Sequence, residues 1–432
     1  MFKRMIFTSQ RRRGHLQPMP AEPRKPTLLV LTSTYPRWPG DHEPGFVHAL
    51  CQRLTDRFEV VVLTSRAPGA ALRETMGGVE VIRYRYAPQR LETLVYGGGI
   101  AAHLERCPWK LLLVPGFILG QYLAVRRLVK RRRIDLIHAH WLIPQGMIAR
   151  WLVRYVVPVP FVVTSHGGDL FGLRGQRLQR IKCGIATASA AMTVVSEAMR
   201  QEAGRLGLHP PRLEVLPMGV DMCDRFIPDD TITRCTDEIL FVGRLVPKKG
   251  LSYLLDAMPA VLAQRPGAVL SIAGFGPEQE VLQAQVARLD IEASVRFLGA
   301  FTQADLPALY RRAALLAAPF VRDTSGNQEG LPVVLMEAIG CGCPVVAGDV
   351  AGVQDLLGEH SDWVCVDATN TPALAETILR VLAHPVEAGE RALNLREALA
   401  RRVDWRIIAR GYTDLLEACL AGAVGAVSAA PR

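Results

Sequence analysis

Short apolar runs set between turn residues alternate along this chain with amphipathic stretches. That alternation predicts strands and helices in a doubly wound α/β order. The first run, residues 27–32, is bounded by prolines and polar residues and reads as a buried strand. A helix is expected from about residue 46 to 57, then a second strand over 59–64. Residues 80–86 alternate in polarity as a strand does. Residues 109–133 carry an apolar helix pattern interrupted at Pro115 and Gly116 and ending in a dense basic run. Further strands are expected at 134–141, 160–166, 191–196 and 213–216. The pattern lapses over 222–237 and resumes with strands at 238–242, 269–275, 296–299, 315–320 and 362–366. Residues 371–400 form an alanine-rich helical region, and 405–420 a last helix.

A chain of 432 residues exceeds one ordinary core. The lapse in patterning divides it into a first domain over 27–220, a linker over 221–237 and a second domain over 238–400. A basic, proline-rich lead-in over 1–26 is expected to be disordered, residues 401–420 to be a terminal helix, and 421–432 a loose tail.

The densest chemistry lies at 320–348, where a polar loop ends in Glu329-Gly330 and a helix pattern follows with Pro332 early. Gly340 and Gly342 stop that helix before the next apolar run. Amides free at such a helix start, here including those of Gly330 and Leu331, favour phosphate. Glu329 and Glu337 would stand about 12 Å apart on a continuous helix. That is about the span of a sugar–diphosphate–ribose ligand, with sugar hydroxyls on Glu329 and ribose hydroxyls on Glu337. Elsewhere, His138 and His140 are two apart on one strand and share a face. A third metal ligand of suitable spacing does not follow them, so no metal is assigned. His140 is expected to line a cleft, and His138 to be a buried, hydrogen-bonded side chain. Asp169, after the pair Gly167-Gly168, is placed to orient either an acceptor or its own loop.

Glu329 and Glu337, with GLPVVLM between them, resemble the E-x7-E motif of retaining glycosyltransferase family 4, which has the GT-B fold. The resemblance covers roughly residues 27–420 and is most specific from 238 to 348. It implies two Rossmann-like domains facing across a cleft, and transfer of a sugar from a nucleotide-sugar donor with retained configuration and no metal or other cofactor. His166, before the glycine pair, matches the family's histidine loop at the reacting sugar carbon. Arg244 and Lys249 match the cations that neutralise the donor diphosphate. Lys248 reads as solvated. Gly274 and Gly276 match a G-x-G-P turn near the nucleotide, and the backbone at Phe297 and Leu298 is where the base would be read. Residues 217–221 resemble the inter-domain turn, and 405–420 the helix that crosses back onto the first domain. Where the family usually has paired glycines near the donor phosphate, this chain has only Gly45, which either approaches the phosphate or simply ends a proline-pinned turn.

The formal net charge of +10 points to an anionic partner or to an arginine-rich composition as such. For residues 109–133 two readings stand: a helix lying on an anionic membrane surface, or a core helix with a solvated basic end. The nine cysteines include no C-x2-C pair and read as reduced thiols of a cytoplasmic protein, which the first reading would place on the inner face of the membrane. The acceptor is expected to be a carbohydrate or a lipid-linked saccharide, and no nucleic acid is implied. Two rivals are a GT-B-fold epimerase and a non-catalytic basic membrane-binding protein.

Overall fold

The computed structural model describes residues 24–97, 99–324 and 326–428. Residues 1–23 of the expected lead-in and 429–432 of the expected tail lie outside the described residues. The first half contains, in order, β1 (Thr27–Leu31), α1 (Phe46–Leu54), β2 (Glu59–Ser65), β3 (Arg73–Met76), β4 (Val79–Tyr84), α2 (Ile100–Arg106), α3 (Leu113–Arg131) and β5 (Leu136–His140). It continues with α4 (Met147–Tyr155), β6 (Phe161–Ser165), α5 (Gln176–Ala188), β7 (Ala191–Val194), α6 (Glu197–Arg205) and β8 (Leu213–Val215). The strands form one sheet in the order β3-β4-β2-β1-β5-β6-β7-β8. Its pairings are parallel except that of β3 with β4. The β3–β4 hairpin turns through Gly77 and Gly78, both at positive φ, as a two-residue turn requires. β3, with the sequence RETM, has no apolar alternation to announce it.

The second half contains β9 (Glu238–Val242), α7 (Leu251–Gln264), β10 (Val269–Ala273), α8 (Gln279–Arg288), β11 (Val295–Gly299), α9 (Leu306–Arg312), β12 (Leu315–Ala318) and α10 (Val333–Gly340). After these come β13 (Val345–Gly348), α11 (Ala351–Leu357), α12 (Ser361–Val364), β14 (Cys365–Val366), α13 (Thr371–Ala383), α14 (Pro385–Val403) and α15 (Trp405–Ser428). The second sheet is parallel throughout, in the order β11-β10-β9-β12-β13-β14.

Both faces of the first sheet are covered, so its strands read as unbroken apolar runs. Leu29, Leu31, Val61 and Leu63 point into one core. Leu28, Val30, Val60 and Val62 point into the other. That second core also takes Trp405, Ile408, Tyr412, Leu415 and Leu416 of α15, so the terminal helix does cross back onto the first domain. The two chain crossings are bonded to each other: Val220 N–H donates to the Val403 carbonyl (2.9 Å), and Trp405 N–H to the Val220 carbonyl (3.2 Å). Met222 and Phe226 of the linker are buried in the second domain's core.

Four expectations need correction. α3 is continuous through Pro115 and Gly116, because it starts at Leu113 and a proline in the first turn forfeits no helical bond. Residues 362–364 belong to α12, and only Cys365–Val366 pair with β13. The region 371–400 is two helices, parted at His384 with Pro385 opening the second. Finally, α15 runs on to Ser428, so 421–428 are not a loose tail.

Candidate functional site

The carboxyl ends of both sheets face one cleft, and the candidate residues sit on the loops there. The loop after β9 makes a tight turn at Gly250, whose φ is +69° and whose added Cβ would lie 1.8 Å from the Pro319 carbonyl oxygen. Only glycine lets these two loops meet. The Val321 N–H then donates to the Lys248 carbonyl (3.0 Å). As a result Lys248 Nζ lies 3.0 Å, and Lys249 Nζ 3.3 Å, from Glu329 Oε1. Lys249 also stands 4.9 Å from the Phe320 ring centroid. Burial alone would raise the Glu329 carboxyl, but the charges of Lys248, Lys249 and Arg244 outweigh it and hold the group at about 2. Burial, reinforced by its two cationic neighbours, keeps Lys249 below the ordinary lysine range despite Glu329. Lys248 is therefore not solvated, as its sequence context suggested, but an inner member of a cationic cluster. Arg244 reaches the first domain: its Nη1 would lie 3.1 Å from a Cβ on Gly99.

Pro332 caps α10 in an extended conformation, so the helix begins only at Val333. Residues 329–332 precede it, and the 12 Å spacing expected for a continuous helix does not describe the two glutamates. Gly330 packs under the first domain, where an added Cβ would meet the His166 carbonyl oxygen at 2.7 Å and Met199 Sδ at 2.9 Å. Leu331 packs against cores of both domains. Glu337 is buried, accepting from the Tyr310 hydroxyl (2.8 Å) and from Gln303 Nε2 (3.0 Å). Burial pushes its carboxyl up to about 7 against those two bonds. A ribose hydroxyl reaching Oε1 would share or displace the Gln303 amide. Nothing in the spacing of Gln303 and Tyr310 marked them in the sequence; they lie 34 and 27 positions away.

On the first domain, His166 follows β6 and stacks on His140: ring centroids are 5.2 Å apart, the planes differ by 14°, and His140 Nδ1 is 2.9 Å from His166 Nε2. His138 lies one layer deeper, its Nε2 at 2.7 Å from Thr164 Oγ1. His138 is the buried, bonded side chain expected. His140, however, is fully buried and does not line the cleft, because His166 covers it. Burial pushes His138 and His166 down to about 3 and His140 lower still, so all three are neutral. Phe46 and Trp141 flank His166 at 5.1 and 4.9 Å. Asp169 is buried and accepts from the Leu142 N–H (2.6 Å) and the Ser165 hydroxyl (2.8 Å), with burial raising its carboxyl. It orients the loop. Gly45 caps α1, and an added Cβ would meet nothing nearer than Pro36 Cγ at 3.8 Å.

Gly274 and Gly276 are pressed onto the neighbouring loop: added Cβ atoms would lie 1.8 Å from the Gly243 carbonyl oxygen and 2.5 Å from that of Leu245. Phe297 packs partly on the core. Leu298 falls at the position skipped in the β10–β11 register, where Ala273 pairs with Gly299. A cavity of about 280 Å³ opens between the domains, lined by Gly97, His103 and Arg106 from the first and Phe275, Gly276, Pro277 and Gln279 from the second. His42 meets Phe275 edge-on across it at 4.9 Å. Among the described residues no group of three His, Cys, Asp or Glu side chains is placed to hold a metal ion. The arrangement joins half-buried cations and the amides before α10 on one side to a neutral imidazole on the other, a setting suited to a departing diphosphate.

Two family models match consecutive parts of the chain: glycosyltransferase family 4 over residues 46–223, and glycosyl transferases group 1 over 231–402. A D-inositol 3-phosphate glycosyltransferase of Segniliparus rotundus is 30% identical over 67% of this chain and 67% of its own length. A GDP-mannose-dependent monoacylated alpha-(1-6)-phosphatidylinositol monomannoside mannosyltransferase of Corynebacterium glutamicum is 28% identical over 68% and 79%. Among solved structures, the sucrose-phosphate synthase of Thermosynechococcus elongatus superposes with a TM-score of 0.76 at 21% identity, covering 92% of this chain and 100% of that one. Matching models on both halves, a relative across two thirds of the chain and the paired sheets around one cleft agree: the chain belongs to glycosyltransferase family 4 and has the GT-B fold.

Proposed function

We propose that this glycosyltransferase moves a sugar from a nucleotide-sugar donor to a hydroxyl of a lipid-linked or saccharide acceptor, with retained configuration and without a divalent metal. The observation that carries the reading is the convergence of Lys248 and Lys249 on Glu329 at the mouth of α10. As the bond from the anomeric carbon to the phosphate oxygen breaks, negative charge grows on the diphosphate. Lys249, Lys248 and Arg244 are fixed cations that offset it, together with the amides before α10. The acceptor hydroxyl attacks the same face and its proton passes to the departing phosphate oxygen, which leaves the new bond in the original configuration. Glu329 holds the sugar hydroxyls and His166 packs against the sugar as a neutral donor or acceptor. The relatives' names include an inositol phosphate and a phosphatidylinositol mannoside as acceptors, which supports an acceptor of that kind here.

The test begins with a thermal-shift panel of UDP, GDP, ADP and their sugars to find the donor. Transfer is then followed by NMR of the anomeric proton, with and without chelator. Lys249→Ala should weaken nucleoside diphosphate binding roughly tenfold to a hundredfold, as loss of a charge-assisted contact does. An inverted product, or turnover that stops in chelator and returns only with a divalent ion, would overturn the proposal.

A further inference from the structure

The stretch Pro108–Arg131 is long and apolar enough to cross a membrane, yet one face of it is already used. Leu113, Phe117, Gln121 and Val125, spaced four apart, are buried against the first sheet. The opposite face is left open. Leu111 is 62% exposed, Leu112 81%, Trp109 52% and Leu119 56%. α4 packs beside it, with Trp151 edge-on to Tyr122 at 6.4 Å and Tyr155 exposed. Scattered apolar side chains on a surface need no account, but six large ones on two adjoining helices and the turn leading into the first do.

Charge says what covers them. The same open face of α3 turns basic at its far end, through the exposed Arg126, Arg127 and Lys130. None of these three has a carboxylate within ion-pair distance among the described residues. Residues 106–134 and 136–168 contain no aspartate or glutamate at all. A face that is leucine and tryptophan at one end and unpaired arginine and lysine at the other suits a sheet of acyl chains bordered by anionic headgroups. A soluble protein partner would need a matching acidic rim beside an apolar patch; a bilayer supplies both by its nature.

The location connects this face to the site. α3 runs back from the cleft end of the sheet to the start of β5, so its apolar end is the end at the cleft. The turn bearing Trp109, Leu111 and Leu112 is tied to the cavity wall through Lys110, whose Nζ donates to the Thr93 carbonyl (3.0 Å) and lies 3.1 Å from His103 Nδ1. His103 lines the interdomain cavity.

We propose that the open face of α3 and α4 docks on an anionic lipid bilayer, Trp109, Leu111 and Leu112 entering it, and so sets the mouth of the interdomain cavity at the headgroup level. The bilayer contact stands on the surface alone; delivery of a lipid-borne acceptor to the cavity rests also on the acceptor reading above.

Flotation with vesicles tests it. The full chain should float with phosphatidylcholine–phosphatidylglycerol vesicles and not with phosphatidylcholine alone. L111S/L112S/L119S and, separately, R126E/R127E/K130E should each lose roughly tenfold or more of that binding, while the melting temperature and nucleoside diphosphate binding stay unchanged. Equal flotation on both vesicle types would overturn the proposal. So would unchanged flotation of either variant, or a wild-type dimer that the leucine variant converts to monomer, which would assign the face to a second copy. If the variants lose vesicles but the wild type transfers sugar only to soluble acceptors, docking stands and the acceptor reading fails.

Discussion

Gly167 of the first domain and Gly330 of the second lie backbone against backbone: a Cβ on Gly167 would sit 3.0 Å from the Gly330 Cα. The histidine loop and the loop before α10 can approach this closely only because both residues lack a side chain. Gly167 adds a φ of +107°, which a side chain would also oppose. Gly330 is the cleaner probe, since its φ is ordinary and its obstacle is the other domain. In Gly330→Ala the methyl meets the His166 carbonyl oxygen at 2.7 Å and must push the domains apart. Misplacement of reacting groups by about an ångström costs about 100-fold in rate. The variant should lose transfer by that order, while its stability falls by no more than the about 1–3 kcal/mol of overpacking. A normal initial rate would show that this contact is not part of the reacting geometry.

Glu337 and Glu329 should leave opposite marks on stability. The Glu337 carboxyl, pushed by burial to about 7, keeps a proton that the unfolded chain releases near about 4.3. Stability therefore falls as pH rises from there through about 7, by on the order of 3 kcal/mol for this one group. Glu329, held at about 2, contributes stability above about 4.3 that is lost as pH falls toward 2. Glu337→Gln removes the first effect and keeps an acceptor for Tyr310. Its melting temperature at pH 8 should match or exceed the wild type's, with the advantage gone at pH 5. A constant offset between the two curves at all pH values would refute the assignment.

The stacked histidines make a kinetic prediction. His138, His140 and His166 are all neutral because burial opposes their charge. The pH–rate profile should then show no limb from an imidazole between pH 5 and 8, unlike an exposed histidine near about 6.5. His166→Ala should slow transfer by about 100-fold, the scale for losing one aligned polar contact at a reacting centre. Nucleoside diphosphate affinity should be preserved, because the cations that hold it are on the other domain. A joint fall in affinity and rate would place His166 in donor binding.

What the sequence made legible were the periodic elements and the local motifs. Runs such as Leu28–Leu31 name a strand because both sheet faces are buried, and Gly340 and Gly342 mark where α10 stops. Relationships made by the fold were not legible. Lys248 and Lys249 are alike as neighbours in a loop, and only the approach of Glu329 shows that both are inner charges. Asp169 offered two roles, and the Leu142 amide decided between them. His140 looked open to the cleft because its cover, His166, lies 26 residues away. Gln303 and Tyr310 bore no motif. The break expected at Pro115 is absent from α3 because a proline breaks a helix in its interior but not in its first turn.

The hinge offers the last test. Gly219 lies beneath the indole of Trp405, and an added Cβ would come within 2.6 Å of the ring. These two residues belong to the two strands of chain that cross between the domains, joined by the bridge of Val220 to Asp404. Arg53 packs on the indole as well, its guanidinium carbon 4.9 Å from the ring centroid. The ring is buried and packed by other side chains, so a methyl at 219 meets a neighbour with little room to move. Overpacking of this kind costs about 1–3 kcal/mol. Gly219→Ala should lower the melting temperature accordingly and change the rate of transfer, since the crossings set how the domains close. Trimming the ring relieves the clash: in a Trp405→Leu background the same Gly219→Ala step should cost little. Equal costs in the two backgrounds would mean that the crossings do not depend on this contact.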